Sequence, residues 1–186
     1  MVFVFILAAV TFALILIFGY KSISGFLGTG EEVTFIRFKT DLESSIKNIA
    51  SEYGAVRIQE FNPPLNYEKI CFIDTNFYYG SLDDEVENQV IWLCENENMP
   101  LACSVWQDAL TVHQEGSGKS GYDSVEENVF LKPLAPVKIK VGKISIADNT
   151  GSPIGYLCPP IRGGSFTLQL TGKGSHTEIS EAVPGE

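Results

Sequence analysis

The chain is poor in the residues from which catalytic and metal centres are commonly built. Its 186 residues include two histidines and four cysteines. No C-x-x-C pair occurs, and neither His113 nor His176 stands at ligand spacing from a cysteine, so the zinc patterns are missing. Neither histidine sits in a recognisable nucleophile context, which leaves no Ser-His-acid arrangement to build on. Basic residues are outnumbered, 13 Lys and Arg against 23 Asp and Glu, for a net charge of −10. Without a basic stripe the chain has no electrostatic footprint for nucleic acid. The acidic run from Asp83 to Glu87 lacks the ligand spacing of a calcium loop. Gly118-Lys119-Ser120 matches the second half of the phosphate-binding pattern G-x-x-x-x-G-K-[ST], but the first glycine of that pattern falls on His113. No N-x-[ST] acceptor and no internal repeat is apparent. The expectation from these absences is a protein that is not an enzyme, with no cofactor and no metal.

Charge is also missing locally, from Met1 to Tyr20, MVFVFILAAVTFALILIFGY. Thr11 is its one clearly polar side chain before Lys21, and no proline interrupts it. A helix of about 20 residues, at about 1.5 Å each, spans a hydrocarbon layer about 30 Å thick. Within lipid a helix satisfies every backbone N–H and C=O inside the segment. Apolar residues lie all round it, so no face is left for water. Three readings compete: a cleaved secretory signal, a single-pass membrane anchor, and a packing helix in the core of a filament. The missing basic n-region and the length of the run argue against the first, although Ser22-Ile23-Ser24 is a passable cleavage site.

Gly25, Gly28 and Gly30 then fall within six residues and predict a helix break and hinge at 25–30. Glu31 and Glu32 suit the start of a further helix. Phe35, Phe38, Leu42, Ile46, Ile49 and Tyr53 recur at steps of three or four, the helical period, and Gly54 suits its end. Beyond Ala55 the period shortens. Strands are expected at 56–61, where Val56 and Ile58 alternate with Arg57 and Gln59, at 69–74 and at 90–94. Further strands are expected at 137–141 with resumption at 144–146, at 154–158, at 166–171 and at 176–179. Gln114–Asp123, rich in glycine and serine, reads as a mobile surface loop. Tyr67, Tyr78, Tyr79, Trp92 and Trp106 offer either a shelf for a sugar or, the reading adopted, core and inter-subunit packing. The acidic residues at 83–87 and 95–97 and the lysines Lys138, Lys140 and Lys143 read as solvated surface, or as the two sides of an ionic contact between neighbouring subunits.

Cys71, Cys94, Cys103 and Cys158 form an even set behind an export or anchor segment, which suggests two disulfides. Three pairings are open. The one favoured is Cys94–Cys103, closing a short polar loop, with Cys71–Cys158 tying the middle of the domain to its end. Four buried thiols are the alternative.

An apolar N-terminal helix (Met1–Tyr20), a helical continuation (Glu31–Tyr53) and a β-patterned remainder bearing cysteines resemble, in layout over the whole chain, archaeal type IV pilin-like proteins. Phe5 stands where many bacterial pilins have glutamate. The absence of a basic residue ahead of Met1 fits numbering from a processed end. The resemblance implies an α+β, pilin-like fold: an apolar transmembrane or filament-core helix at 1–24, the hinge at 25–30, and an amphipathic helix with an antiparallel β-rich exposed domain at 31–186. The implied function is a structural subunit of an extracellular filament at the cell surface. It would be inserted in the membrane before assembly and self-associate through Phe3, Phe5, Ile6, Leu7, Val10, Phe12, Leu14, Ile15 and Ile17. Its partners would be identical subunits, with the outer surface available for adhesion to surfaces or host cells. The competing expectation is a monomeric, single-pass, membrane-anchored extracellular binding domain.

Overall fold

The computed structural model describes residues 2–77, 84–114 and 119–182; side chains at 2–4, 7–9, 18–31, 84–87 and 113–114 lie outside the description. The chain divides into two compact units, Met1–Arg37 and Phe38–Glu186. A helix, α1 (Val2–Ala50), contributes to both. The division falls at 37/38, not within 25–30, and α1 is helical through Gly25, Gly28 and Gly30. The expected break is therefore corrected. Each glycine costs about 1 kcal/mol relative to alanine, but a helix already nucleated on both sides adds a hydrogen bond per residue at little further cost, so a few glycines do not stop it.

The second unit is α+β. Its strands β1 (Val56–Phe61), β2 (Lys69–Ile73), β3 (Val129–Lys132), β4 (Ile144–Ala147), β5 (Pro153–Ile154), β6 (Tyr156–Leu157), β7 (Phe166–Gly172) and β8 (Thr177–Glu181) form two sheets. One sheet has the order β1-β7-β8-β4-β5, the other β3-β2-β6. All pairings are antiparallel except β4 with β8, so the first sheet is mixed. Between β2 and β3 lie α2 (Asp84–Glu95), α3 (Pro100–Gln114) and a single turn, α4 (Gly121–Ser124).

The end of α1 docks on the mixed sheet through Phe38, Leu42, Ile46 and Ile49, all buried. Tyr53, the last of the expected stripe, is 84% exposed because the helix has ended by then. Phe166 joins the layers: its ring meets Phe38 edge-on at 6.2 Å, stacks on Phe61 at 5.4 Å and lies 6.3 Å from Phe72. Gly172 permits the close approach, since a Cβ there would lie 2.2 Å from the carbonyl oxygens of Ile49 and Glu52. Buried Thr177 donates its hydroxyl to the Ile46 carbonyl at 2.6 Å, so this polar side chain under the helix is satisfied.

β1, β2, β4, β7 and β8 lie where alternation places them. In β1, however, Val56 and Ile58 point outward (57% and 64% exposed), while Phe61 is buried. On the other face of the strand, exposed Arg57 pairs with Glu52 at 2.7 Å and half-buried Gln59 donates to the Ser45 hydroxyl at 2.8 Å. The strand expected at 154–158 is two short strands in different sheets, divided at Gly155, where a Cβ would fall 2.1 Å from the Trp106 ring.

Two expected strands are overturned. Residues 90–94 belong to α2: Val90 and Leu93, three apart, are buried, whereas Ile91 and Trp92 face out. Residues 137–141 keep their alternation, with Ile139 and Val141 buried, but form only an isolated bridge to Val129. Asn128 is the cause. Its side chain accepts from the Val141 N–H at 2.9 Å and donates to the Gly142 carbonyl at 3.2 Å, replacing ladder partners with a side-chain clasp.

Candidate assembly surface

Helical geometry places residues 10–17 in every direction round α1, since eight residues at about 100° complete more than two turns. Each of them is exposed. Among the expected assembly residues, Phe5, Ile6, Val10, Phe12, Leu14, Ile15 and Ile17 are 49–76% exposed. Leu16, absent from that expectation, is 57% exposed and belongs with them. Phe3 and Leu7 lie on the same helix, with side chains outside the described set. In this half of α1 the described side chains are those at 5, 6 and 10–17, and among the described residues no helix is long and apolar enough to cross a membrane.

The four cysteines form two disulfides, Cys71–Cys158 and Cys94–Cys103. The first joins β2 to the residue after β6 and spans 87 positions; the second ties the end of α2 to the start of α3 across 9. Both border a core of Ile73, Phe77, Val90, Leu93, Met99, Ala102, Trp106 and Phe130, which fastens the helices to the smaller sheet. α3 had no sequence assignment. Its signal was Ala102, Trp106 and Ala109, apolar at steps of four and three behind Pro100, a residue suited to a first helical turn.

Polar groups elsewhere serve the fold. Asp74 is buried, and burial pushes its carboxyl up to about 7, against the lowering effect of backbone N–H groups of Asn76 and Phe77. Its Oδ1 accepts from Asn76 N at 2.9 Å, and Asn76 in turn accepts from Tyr122 N at 3.2 Å, seating α4 on the 74–77 turn. Asp148 holds the 148–152 turn by accepting from the N–H groups of Thr150 and Ser152 and from the Thr150 hydroxyl, which keeps its carboxyl below the usual range. Of the glycine- and serine-rich loop, residues 115–118 lie outside the description, while Ser120 caps α4 by accepting from Asp123 N. The His113 side chain also lies outside it, and His176 pairs with Ser175 at 3.1 Å. Among the described residues no three His, Cys, Asp or Glu side chains gather to hold a metal.

Among the described residues, Tyr67, Trp92 and Trp106 do not form a common exposed shelf. Trp106 and Tyr67 are buried, Trp92 is 55% exposed on α2, and Tyr78 and Tyr79 lie outside the described residues. The three lysines separate as well. Lys138 pairs with Glu126, while Lys140 and Lys143 stand 4.1 and 5.9 Å from the centre of the Tyr122 ring. Lys47 and Lys39 from α1 share Glu43 between them, at 4.0 and 3.8 Å, and the Lys47 stem lies against Gly142. This basic cluster was not foreseen, because its members are about a hundred positions apart in the chain.

No family model, no curated protein and no solved structure matches this chain.

Proposed function

We propose that the protein is a structural subunit of an extracellular, type IV pilus-like filament, assembled by bundling the first half of α1 with the same segment of identical chains. The observation that supports this reading is the contrast between the two halves of one helix. Phe38 to Ala50 buries a single stripe, as a helix on a sheet does. Residues 10–17 expose apolar side chains in all directions, an arrangement that water penalises at about 25 cal/mol per Å². Such a segment calls for apolar surroundings on every side, supplied by the bilayer before assembly and by neighbouring copies after it. The disulfide-tied α+β unit then forms the outer surface, available for adhesion.

The test is Phe12→Asp in the full chain. A carboxylate at the centre of an apolar helix costs about 2.5–3.5 kcal/mol on insertion scales. Electron microscopy of cell-surface material should show filaments from the parent chain and none from the variant, while both retain two disulfides by intact mass. Normal filaments from Phe12→Asp would refute the proposal. A parent chain that extracts as a monodisperse monomer would favour the anchored binding domain instead.

A further inference from the structure

We propose that identical copies pair in parallel and in register along one seam of α1, so that Glu32 of each chain meets Arg37 of the other. The pair rests on the filament reading for its partner, an identical chain, and names the register in which two helices meet. Val33 and Ile36 lie three apart on α1 and are 44% and 49% exposed. They continue a spacing that begins in the apolar stretch. Phe5, Phe12, Phe26 and Val33 fall at multiples of seven, and Ile15 and Ile36 take the matching positions three further on. The seam so defined runs through 5, 12, 19, 26 and 33, with 8, 15, 22, 29 and 36, and none of these positions is charged. The four charges of the segment 5–37, Lys21, Glu31, Glu32 and Arg37, all fall off it. The described members of the seam, Phe5, Phe12, Ile15, Val33 and Ile36, are exposed. Apolar residues at a seven-residue period wind two helices into a left-handed pair whose side chains interlock.

Charge selects the occupant. Glu32 directly precedes Val33 and Arg37 directly follows Ile36, so the two flank the seam on opposite sides. In a parallel pair, the residue just before one seam position lies across from the partner's residue five further on, just after the next seam position. Glu32 and Arg37 stand at that spacing. Two copies in register therefore make two Glu–Arg contacts, one on each side of the seam. Both residues are exposed, and neither takes part in an ion pair among the described residues, whereas Lys39 and Lys47 are matched to Glu43 within the chain. Sliding one copy by seven residues keeps the seam but sets Glu32 against Gly30 or Ser44, and both contacts are lost. Lipid would satisfy the apolar seam alone; the charges that flank it call for a second copy in one register.

The experiment uses the full chain in mild detergent, with Ile36→Cys as a reporter on the seam and copper phenanthroline as oxidant. All four native cysteines are in disulfides, so the added thiol is the reactive one. Isotopically light and heavy chains are mixed, so links between copies are identified by mass. The expected link joins position 36 of one copy to position 36 of the other. A mixture of Thr29→Cys and Ile36→Cys chains reads a slip of one seven-residue repeat, and its 29–36 link should be minor. Glu32→Arg or Arg37→Glu, added to Ile36→Cys, should each lower the yield about fivefold alone, because both contacts become repulsive. Mixing the two charge variants should restore it, since one chain then brings two arginines and the other two glutamates. Predominant 29–36 links, no link at position 36, or charge variants that link as well alone as mixed would overturn the in-register pair. Filaments of the parent chain, imaged by electron microscopy, would in that case leave the filament reading standing. In-register links from a parent chain that makes no filaments would uphold the pair and overturn the filament reading.

Discussion

Asp74 makes the stability of the second unit depend on pH in a direction opposite to most carboxylates. Its side chain is 7% exposed, and burial raises its carboxyl from 3.8 to about 7. Between those values the folded protein keeps a proton that the unfolded chain has released. Stability must then fall as pH rises through this window and level off above about 7. The difference of about 3 pH units corresponds to at most about 4 kcal/mol, at 1.36 kcal/mol per unit. Asp74→Asn removes the titration and keeps an oxygen that can accept from Asn76 N. Urea denaturation of the full chain in mild detergent, followed by tryptophan fluorescence from about pH 4.5 to about 8.5, measures both proteins against the same background. The variant should gain on the parent steadily with rising pH, by at least about 2 kcal/mol across the range. A carboxyl carbon resonance titrating near 7 would identify the group directly. Parallel stability curves, or a resonance titrating below about pH 5, would show that burial is not governing this carboxyl.

Two other predictions concern the cross-links and the long helix. Removing Cys71–Cys158 by paired alanine substitution should cost about 4–5 kcal/mol and removing Cys94–Cys103 about 2–3, because the closed loops span 87 and 9 positions; equal losses in denaturant titrations would contradict the loop-length argument. Replacing Gly25, Gly28 and Gly30 together with alanine should raise the thermal stability of α1 in detergent, by about 1 kcal/mol for each glycine, and a lowered helix melt by circular dichroism would refute continuous helix through these positions.

Much of the second unit could be read from residue order because its strands obey period two and its α1 stripe period three to four. The failures have local causes. Ile91-Trp92 are strand-forming residues by propensity, and 90–94 looked like a strand in isolation. What decided for helix was Leu93 and Val90 facing a partner, α3, to which the Cys94–Cys103 bond holds them. At 137–141 the pattern of burial was legible, but the hydrogen bonds were not, because they go to the side chain of Asn128, nine positions before the segment begins. Alternation in β1 was legible but its face was not: Phe61, one step out of phase with Val56 and Ile58, is the residue that is buried. The lysine cluster was illegible because Lys39 and Lys47 meet Lys140 and Lys143 only once α1 lies beside the 140–143 segment.

Within α1 the same residue types face two physical demands. From Phe38 onward, apolar side chains are rationed to one face and lysines and glutamates occupy the other, with Lys39, Glu43 and Lys47 linked at i, i+4. That half folds by covering a sheet, and its surface is finished. Residues 10–17 carry no charge, and each of them is exposed. Gly172 and Thr177 show how closely α1 is fitted where it has a partner: one gives up a side chain to let the helix in, and the other offers its hydroxyl to a helix carbonyl. A described stretch that is apolar, uncharged and exposed on every side is the feature expected of a segment whose packing partners are other molecules.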